Sequence, residues 1–456
     1  MTFPLLQLLH QAIYPDGFEY EVKSFFYNKT HALIKSASVT ASTGVSLIDI
    51  VRNVVNIVYP SFVAKHWAIP LREDLGGGMG LTVQELYVCL ASQFANTFAT
   101  FGDGAPGIQW QLGEAASKTG NILHSLIKMR VMAMSVPGYS YLNSALGRLS
   151  LGKKDADSHG LSMNASSTHF YRTIIKGTES IEEATNELHG LAVGFCVTQA
   201  QQLSQIIEFY LRDEHAEHRA RLHELCLKGD HADDEITGYM YEAMRFVGQA
   251  PFIPRFVTKD TVIVDGQRNV ELKAGDGIFA SQHNANMDPS VFEKPELINP
   301  RRDRSKYFVF GQGMHQCTGL RFAELSIRSA MRAIFSLPSF RSSPGPAGTF
   351  RSMTADHFGN TPVPIYLTDQ GFEWPFPVSL QVLYGGEPNQ VKRMQKVDTA
   401  IVTDSTSQSI VTPSVLNGTH NQFGGDAPLT PPETPDTEKK QRSELEGRGL
   451  PTSLSS

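Results

Sequence analysis

The sequence predicts a mainly α-helical fold with a minor β region. Apolar residues recur at three- and four-residue spacing in most segments between about residues 5 and 225, which is the periodicity of amphipathic helices. Between residues 252 and 280, β-branched runs alternate with Asp-Gly and Gly-Asp, which is typical of small hairpins. With 456 residues and 41% apolar composition, the chain is long enough for one large core or two ordinary domains.

The amino terminus, MTFPLLQLLHQAIY, is interpreted as the first turns of a partly buried helix. It has no basic start, no small-residue cleavage site and no run of about 20 apolar residues, so we expect neither a secretory signal nor a transmembrane anchor. The segments GFEYEVKSFFYNKTHALIK and ASKTGNILHSLIKMRVMAM predict further long helices.

The carboxy-terminal part has a different composition. After about Gly385 the chain is rich in Ser, Thr, Pro, Asn and charge, and it cannot bury enough apolar area to offset the cost of ordering. We therefore predict a folded domain over residues 1–385 and a disordered tail over residues 386–456.

Charge and cysteine content argue against several functions. The net charge of −6 comes from scattered residues, so no surface for nucleic acid is expected. The four cysteines form no CxxC pair, which favours neither a disulfide framework nor a zinc site. A reducing, cytoplasmic location is the expectation.

The most informative segment is a glycine-rich loop that continues directly into an amphipathic helix, FVFGQGMHQCTGLRFAELSIR from residue 308 onward. Cys317 stands at the junction, where helix amino-terminal N–H groups should stabilise a thiolate and lower its pKa. Gly311, Gly313 and Gly319 permit tight turns and close approach to a flat ligand. Phe310 can shield the sulfur from water.

Two plainer interpretations of this loop are a phosphate-binding loop and a buried structural cysteine. The dinucleotide pattern fails because Gln316 occupies the place of its third glycine, and no strand, turn and helix with a later acidic partner is evident. A buried structural cysteine would not need three glycines around it.

The spacing Phe310-x-x-Gly313-x-x-x-Cys317-x-Gly319 resembles the heme-binding signature of the cytochrome P-450 family. The resemblance implies the cytochrome P-450 fold, heme b as cofactor, Cys317 as the axial ligand of its iron, and Phe310, Gly311 and Gly319 around the heme. The distal helix begins only about 190 residues into the chain, which leaves open whether the extreme amino-terminal part of the fold is present.

Further residues acquire roles from the same resemblance. Glu242 and Arg245 form an ExxR pair, and with Arg302 they correspond to a structural triad behind the heme. Arg255 and His315 correspond to the groups that hold the heme propionates, a role that suits cationic donors. For His315, a solvent-facing loop histidine is the alternative.

The candidate distal helix extends from His189 to Leu211 without a proline. Small and amide-bearing residues recur along one face of it, at Gly190, Gly194, Thr198, Gln201 and Gln205. A flat heme can pack against such a face. Without Cys317, an ordinary helix contact with solvated glutamines would be the better interpretation.

Cys196 and Val197 precede Thr198, where reductase-driven members of the family usually carry an acid directly before Thr. The segment VTQAQ over 197–201 resembles instead the Ala-Asn-Gln-x-Gln segment of the cytochrome P-450 domain of fungal linoleate diol synthases, also called psi-factor-producing oxygenases. That resemblance extends over nearly all of residues 1–385.

The resemblance to these fungal enzymes implies a hydroperoxide isomerase. A fatty acid hydroperoxide would be converted to a diol without external electrons, with Gln201 and Thr198 as the distal catalytic residues. Thr198 replaces the family's asparagine, so the position of hydroxylation is open. The family's amino-terminal dioxygenase is absent from this sequence, so we expect a separate dioxygenase to supply the hydroperoxide.

Two other functions stay open at this point. One is a fatty acid monooxygenase that depends on a reductase partner. The other is a catalytically silent heme-binding remnant that serves as a partner or regulator.

Overall fold

Helices make up most of the described chain, as the sequence predicts. The structure is a computed structural model that describes residues 3–72, 81–98, 106–135, 163–250, 252–266, 268–355 and 363–386. All of these residues belong to one compact unit within residues 1–410. The tail predicted over residues 386–456 lies, apart from its first residue, outside the described residues.

The helices include the three segments that the sequence predicted as helical. A π-helical turn, Val51–Val55, leads directly into α3. In chain order the helices of the described residues are α1 (Phe3–Ile13), α2 (Phe18–Ala37), α3 (Asn56–His66), α4 (Val83–Phe98), α5 (Pro106–Ser135), α6 (Ala165–Lys176), α7 (Ile181–Leu211), α8 (Ala216–Cys226), α9 (Asp233–Phe246), α10 (Gln282–Asn286) and α11 (Leu320–Phe335).

The strands are short, and they pair antiparallel. They are β1 (Val39–Thr40), β2 (Ser46–Asp49), β3 (Phe252–Phe256), β4 (Thr261–Asp265), β5 (Arg268–Leu272), β6 (Gly277–Ser281), β7 (Arg341–Ser342), β8 (Ser352–Ala355), β9 (Val363–Leu367), β10 (Glu373–Trp374) and β11 (Gln381–Tyr384). The sheets have the orders β1-β2-β11-β7, β10-β9-β8, β3-β6 and β4-β5. The last two confirm the predicted β region.

The long helix α7 organises the helical part. Its 31 residues span about 46 Å, and it packs against α3, α4, α5, α6, α9 and α11. The Ser180 side chain accepts the N–H of Glu183 at 3.0 Å, and the Glu183 carboxylate accepts the N–H of Glu179 at 2.7 Å. This reciprocal cap starts the helix about two turns before the predicted His189.

An aromatic cluster fixes α11 against α7. The ring centroid of Phe322 on α11 lies 3.9 Å from that of Phe195 on α7, 5.2 Å from Phe62 on α3 and 5.7 Å from Phe26 on α2. Tilted and edge-on aromatic pairs at such distances stabilise packing beyond their buried area. The cysteine loop, which immediately precedes α11, is therefore attached to the centre of the core.

The four cysteines are free, and only one of them is exposed. Cys89, Cys196 and Cys226 are buried, and burial raises the pKa of each thiol. Cys317 is exposed. Within the described part of the chain, no helix combines the length and apolarity needed to cross a bilayer.

Candidate functional site

A cavity of about 660 Å³ is lined by α7, the cysteine loop, the segment after α9 and the β8–β9 sheet. Its volume lies in the range of cofactor and small-molecule sites. Apolar side chains form much of the wall, among them Ile13, Leu191, Phe195, Val309 and Phe350. A ligand with a large apolar body suits this cavity.

The cysteine loop is closed by backbone hydrogen bonds that present Cys317 to the cavity. The N–H of Cys317 donates to the carbonyl of Phe310 at 2.8 Å, and the N–H of Gln316 donates to that of Gly313 at 3.1 Å. Gly311 has a φ of +66°, and a Cβ there would lie 3.1 Å from the carbonyl oxygen of His315. A side chain at this position would strain the turn, as the sequence predicted.

Two opposing effects act on the Cys317 thiol. Packing around the sulfur raises its pKa, and the N–H of Gly319 at the start of α11 lowers it. The net shift is upward. The predicted lowering is therefore wrong for the protein atoms alone, because desolvation outweighs the helix N–H, although the N–H group lies where the sequence placed it.

The residues predicted to hold the propionates lie at the same cavity. Arg255 on β3 and His315 in the cysteine loop are both exposed and both line it. Arg255 donates through Nη1 to the carbonyl of Pro254 at 2.8 Å, and no acidic side chain among the described residues pairs with it. Its charge is thus available to an anionic ligand group. Phe310, Gly311 and Gly319 also line the cavity.

One face of α7 lines the cavity with glycines and other small residues. Gly190 and Gly194 are exposed at the cavity, and a Cβ built on either would meet no described atom within 4 Å. Thr198 follows one turn later and donates its hydroxyl proton to the carbonyl of Gly194 at 2.7 Å. Its oxygen can still accept a hydrogen bond from a ligand.

These features suit a heme held by a thiolate. Such a group needs a sulfur ligand, walls without Cβ atoms against its flat faces and cations for its propionates. Cys317, the glycines of α7 and of the loop, and the pair Arg255 and His315 supply these in one cavity.

The glutamines of α7 are not equivalent. Gln199, Gln202 and Gln205 line the cavity, whereas Gln201, the predicted catalytic residue, is buried and does not belong to the lining. Gln205 donates through Nε2 to the hydroxyl of Tyr366 at 2.9 Å. Tyr366 could not be identified from local sequence patterns, because it lies 161 residues further along the chain.

The predicted triad is formed behind the cysteine loop. Glu242 and Arg245 are fully buried and are joined at 3.0 Å, and Nε of Arg302 lies 3.4 Å from the Glu242 carboxylate. The hydroxyl of Tyr307 and the N–H of Asn299 also donate to this carboxylate. Neither donor was identified from the sequence.

Arg245 also connects α9, by hydrogen bonds, to the segment that precedes the cysteine loop. Its guanidinium donates to the carbonyls of Asn286, Pro295 and Leu297 at 3.2, 2.6 and 3.1 Å. Gly238 allows α9 to lie close to the backbone of Pro300 in this segment, since a Cβ at Gly238 would lie 1.8 Å from the Pro300 carbonyl oxygen. These contacts support the interpretation of the triad as a structural element.

A tyrosine near the amino terminus supports the cysteine loop from outside. The hydroxyl of Tyr14 donates to the carbonyl of Thr318 at 2.5 Å. Burial raises the pKa of Tyr14 to about 12, so the hydroxyl keeps its proton at neutral pH. This contact spans 304 residues and could not be read from local sequence patterns.

Comparisons with known sequences agree with these features. The model of the family described as Cytochrome P-450 matches residues 237–368. Psi-producing oxygenase A of Aspergillus fumigatus is 28% identical over 391 residues, covering 85% of this chain and 34% of the relative. A bifunctional dioxygenase (DOX)-epoxy alcohol synthase (EAS) of Fusarium oxysporum is 26% identical, with 82% and 28% covered. The 7,8-linoleate diol synthase of Pyricularia oryzae is 22% identical, with 77% and 35% covered.

The chain thus spans about a third of the length of the curated relatives it matches. Among solved structures, the open form of the cytochrome P-450 EryK from S. erythraea has a TM-score of 0.56 at 19% identity, with 85% of this chain and 79% of that chain covered. The cytochrome P-450 BioI in complex with hexadec-9Z-enoic acid ligated acyl carrier protein has a TM-score of 0.52 at 18% identity, with 83% and 78% covered. The predicted fold is confirmed.

Proposed function

We propose that this chain is a cytochrome P-450 that acts as a heme-thiolate oxidoreductase and converts fatty acid hydroperoxides into diols. The observation that carries the proposal is a largely apolar cavity that holds the only exposed cysteine, Cys317. The relatives named psi-producing oxygenase and linoleate diol synthase support an oxylipin-forming activity.

In this proposal heme b is ligated by Cys317, and its propionates are held by Arg255 and His315. When bound, a heme with a thiolate ligand supplies O–O bond cleavage, because the sulfur pushes electron density onto the iron. Phe310 shields the sulfur, and Gly311 and Gly319 keep the loop close to the macrocycle.

The proposed reaction is an isomerisation. One oxygen of the hydroperoxide stays on its carbon as a hydroxyl group, and the other is inserted into a nearby C–H bond, so that no external electrons are needed. The apolar wall holds the acyl chain and excludes water. Thr198 accepts a hydrogen bond from the peroxide. Gln201 is assigned no contact with the peroxide, since its side chain is buried and does not line the cavity.

The charges at the cavity favour the isomerase over a reductase-driven monooxygenase, which needs a proton source near the bound oxygen. Among the described residues that line the cavity, Glu208 is the only acid, and it is paired with Arg212 at 2.8 Å. It also lies ten residues from Thr198, about 15 Å along α7. Thr198 therefore has no adjacent carboxylate to deliver protons.

The proposal is tested on the full chain reconstituted with heme. Linoleate-derived hydroperoxide is added anaerobically without NADPH or reductase, and products are followed by mass spectrometry. We expect a diol with the same elemental composition as the hydroperoxide. Turnover that appears only after NADPH, oxygen and a reductase are supplied would support the monooxygenase, and normal heme loading without any turnover would support the silent remnant.

A matched pair of cysteine variants serves as the control. Cys317→Ser removes the proposed ligand, whereas Cys226→Ser changes a buried thiol whose Sγ lies 3.8 Å from the carbonyl oxygen of Met331 and which does not line the cavity. Diol formation should be lost in the first variant and retained in the second.

A further inference from the structure

The face of α7 that lines the cavity changes character along its length. Cavity-lining positions recur at spacings of three or four residues, so they form one stripe on the helix. Its members in order are Gly190, Gly194, Thr198, Gln202, Gln205 and Glu208, and Arg212 follows directly after the end of the helix. The stripe begins with glycine, continues with hydroxyl and amide groups and ends with an ion pair.

The contacts between α7 and α11 show which end of the stripe faces the sulfur. Phe195 contacts Phe322, and Gln199 accepts a hydrogen bond from Ser326, so residues four positions apart on one helix meet residues four apart on the other. The two helices therefore progress in the same direction. Cys317, which precedes α11, lies at the glycine end of the stripe.

Two of the three glutamines at the cavity have a hydrogen-bond partner within the protein at both the amide oxygen and the amide nitrogen. Gln199 also donates through Nε2 to the carbonyl of Phe195 at 2.9 Å. Gln202 donates to the carbonyl of Val247 at 3.2 Å and accepts the N–H of Gln249 at 2.9 Å. In both amides the oxygen and the nitrogen therefore each already have a partner within the protein.

Gln205 differs from the other two. Its Nε2 is bonded to Tyr366, but its Oε1 has no hydrogen-bond partner among the described residues, and the side chain is only 4% exposed. An acceptor buried in this way is penalised by lost hydration. A donor group of a molecule bound in the cavity can relieve this penalty.

Tyr366 holds this amide in place. Alternate residues of β8 and β9 line the cavity, and Tyr366 lies opposite Ser352 in the register of the two strands. Its ring packs edge-on against Phe350 at 5.3 Å. Burial raises the pKa of Tyr366 to about 12, so the hydroxyl stays neutral and accepts the amide proton.

The charges around Gln205 favour a neutral donor over an anion. Glu208 already occupies Nε and Nη2 of Arg212, so the ion pair carries no net charge. The carboxyl end of the helix adds a partial negative charge. An O–H group satisfies Oε1 of Gln205, whereas a carboxylate would meet acceptors and negative charge.

We propose that Gln205 and Tyr366, with the Glu208–Arg212 pair beside them, bind the protonated carboxyl group of the fatty acid substrate. The substrate class rests on the proposed function. Thr198 and Gln205 are separated by seven residues, about 10 Å along α7, so the group bound at Gln205 is distinct from the hydroperoxide that reacts near Thr198. The carboxyl group is the other O–H donor of such a lipid. Its binding at Gln205 determines which carbon of the acyl chain lies at the glycine end of the stripe, near Cys317.

The test compares ligands that do not react. The heme-loaded protein is titrated at about pH 4, where an ordinary carboxyl group is largely protonated, with linoleic acid and with methyl linoleate, which has no O–H group. Binding is followed by absorbance. We expect the acid to bind about fivefold more tightly than the ester, as one buried hydrogen bond provides. In Gln205→Leu this preference should disappear, and in Tyr366→Phe it should decrease because the amide is no longer held.

Gln199→Met is the matched control, since it changes a glutamine of the same helix whose amide is used within the protein. It should keep the preference for the acid. Equal affinity of the native protein for acid and ester, or a preference that persists in both Gln205→Leu and Tyr366→Phe, overturns the proposal. Because no turnover is needed, a failure of diol formation is distinguished from a failure of this site.

Discussion

At the scale of single residues, the behaviour of each polar group depends on what surrounds it. Glu242 accepts hydrogen bonds from Arg245, Tyr307 and Asn299, and it forms an ion pair with Arg302, so its buried charge is well compensated. An ion pair that is buried so completely contributes little net stability against apolar replacements, but removal of one partner leaves an uncompensated charge. The triad should therefore be sensitive to single substitutions.

Glu242→Gln is expected to destabilise the fold by about 3–5 kcal/mol, because the guanidinium of Arg245 then remains buried without its counter-charge. Glu224→Gln, at a mostly exposed position paired with Arg221, should change stability by less than about 1 kcal/mol. Urea denaturation of both variants measures the difference. Equal stability of the two would contradict the structural role of the triad.

His66 gives a second prediction at this scale. Burial, with a smaller effect of Lys65, lowers its pKa to about 3, below the ordinary value of 6.5. The unfolded chain therefore binds a proton at higher pH than the folded chain does. Stability is fully present above about pH 6.5 and falls as the pH decreases toward 3.

His66→Phe should reduce the slope of unfolding free energy against pH between pH 6 and pH 4 by up to about 1.4 kcal/mol per pH unit. Phe62→Leu changes the ring stacked on His66 at 5.2 Å without removing a titrating group, and it should keep the original slope. Urea denaturation at several pH values provides the comparison. An unchanged slope in His66→Phe would show that this histidine does not govern acid sensitivity.

At the scale of elements, α7 determines where the ligands lie. The sequence showed that small and amide residues share a face of this helix, but it could not decide which glutamine reaches the cavity. Positions three and four residues after Thr198 lie about 60° and about 40° to either side of it around the helix axis. Packing, which local sequence does not reveal, places Gln202 at the cavity and buries Gln201 away from it.

The glycine face of α7 leads to a prediction that separates folding from cofactor binding. A side chain at Gly194 would enter open space within the protein, and replacing glycine inside a helix favours folding by up to about 1 kcal/mol. Gly194→Leu should therefore leave the heme-free protein as stable as before while it weakens heme binding. Thermal denaturation and heme titration measure the two effects, and unchanged heme affinity would show that the heme does not pack on this face.

At the scale of the whole molecule, local patterns predicted much of the architecture. Apolar periodicity predicted the helices, and turn residues predicted the hairpins. The family resemblance of the segment around Cys317 implied the fold. Contacts between distant segments were missed, such as Tyr366 with Gln205 and Tyr14 with the cysteine loop, because they depend on how the elements pack. The pKa of the Cys317 thiol was also mispredicted, because the balance between desolvation and the helix N–H depends on how the protein packs around the sulfur.

The proposal that Cys317 binds heme iron as a thiolate is decided by the absorption spectrum of the reduced protein under carbon monoxide. We expect the red-shifted Soret band of a thiolate-ligated carbon monoxide complex, its loss in Cys317→Ser and its retention in Cys226→Ser. A protein that binds no heme, or a Cys317→Ser variant that keeps the thiolate spectrum, would show that Cys317 is not the ligand.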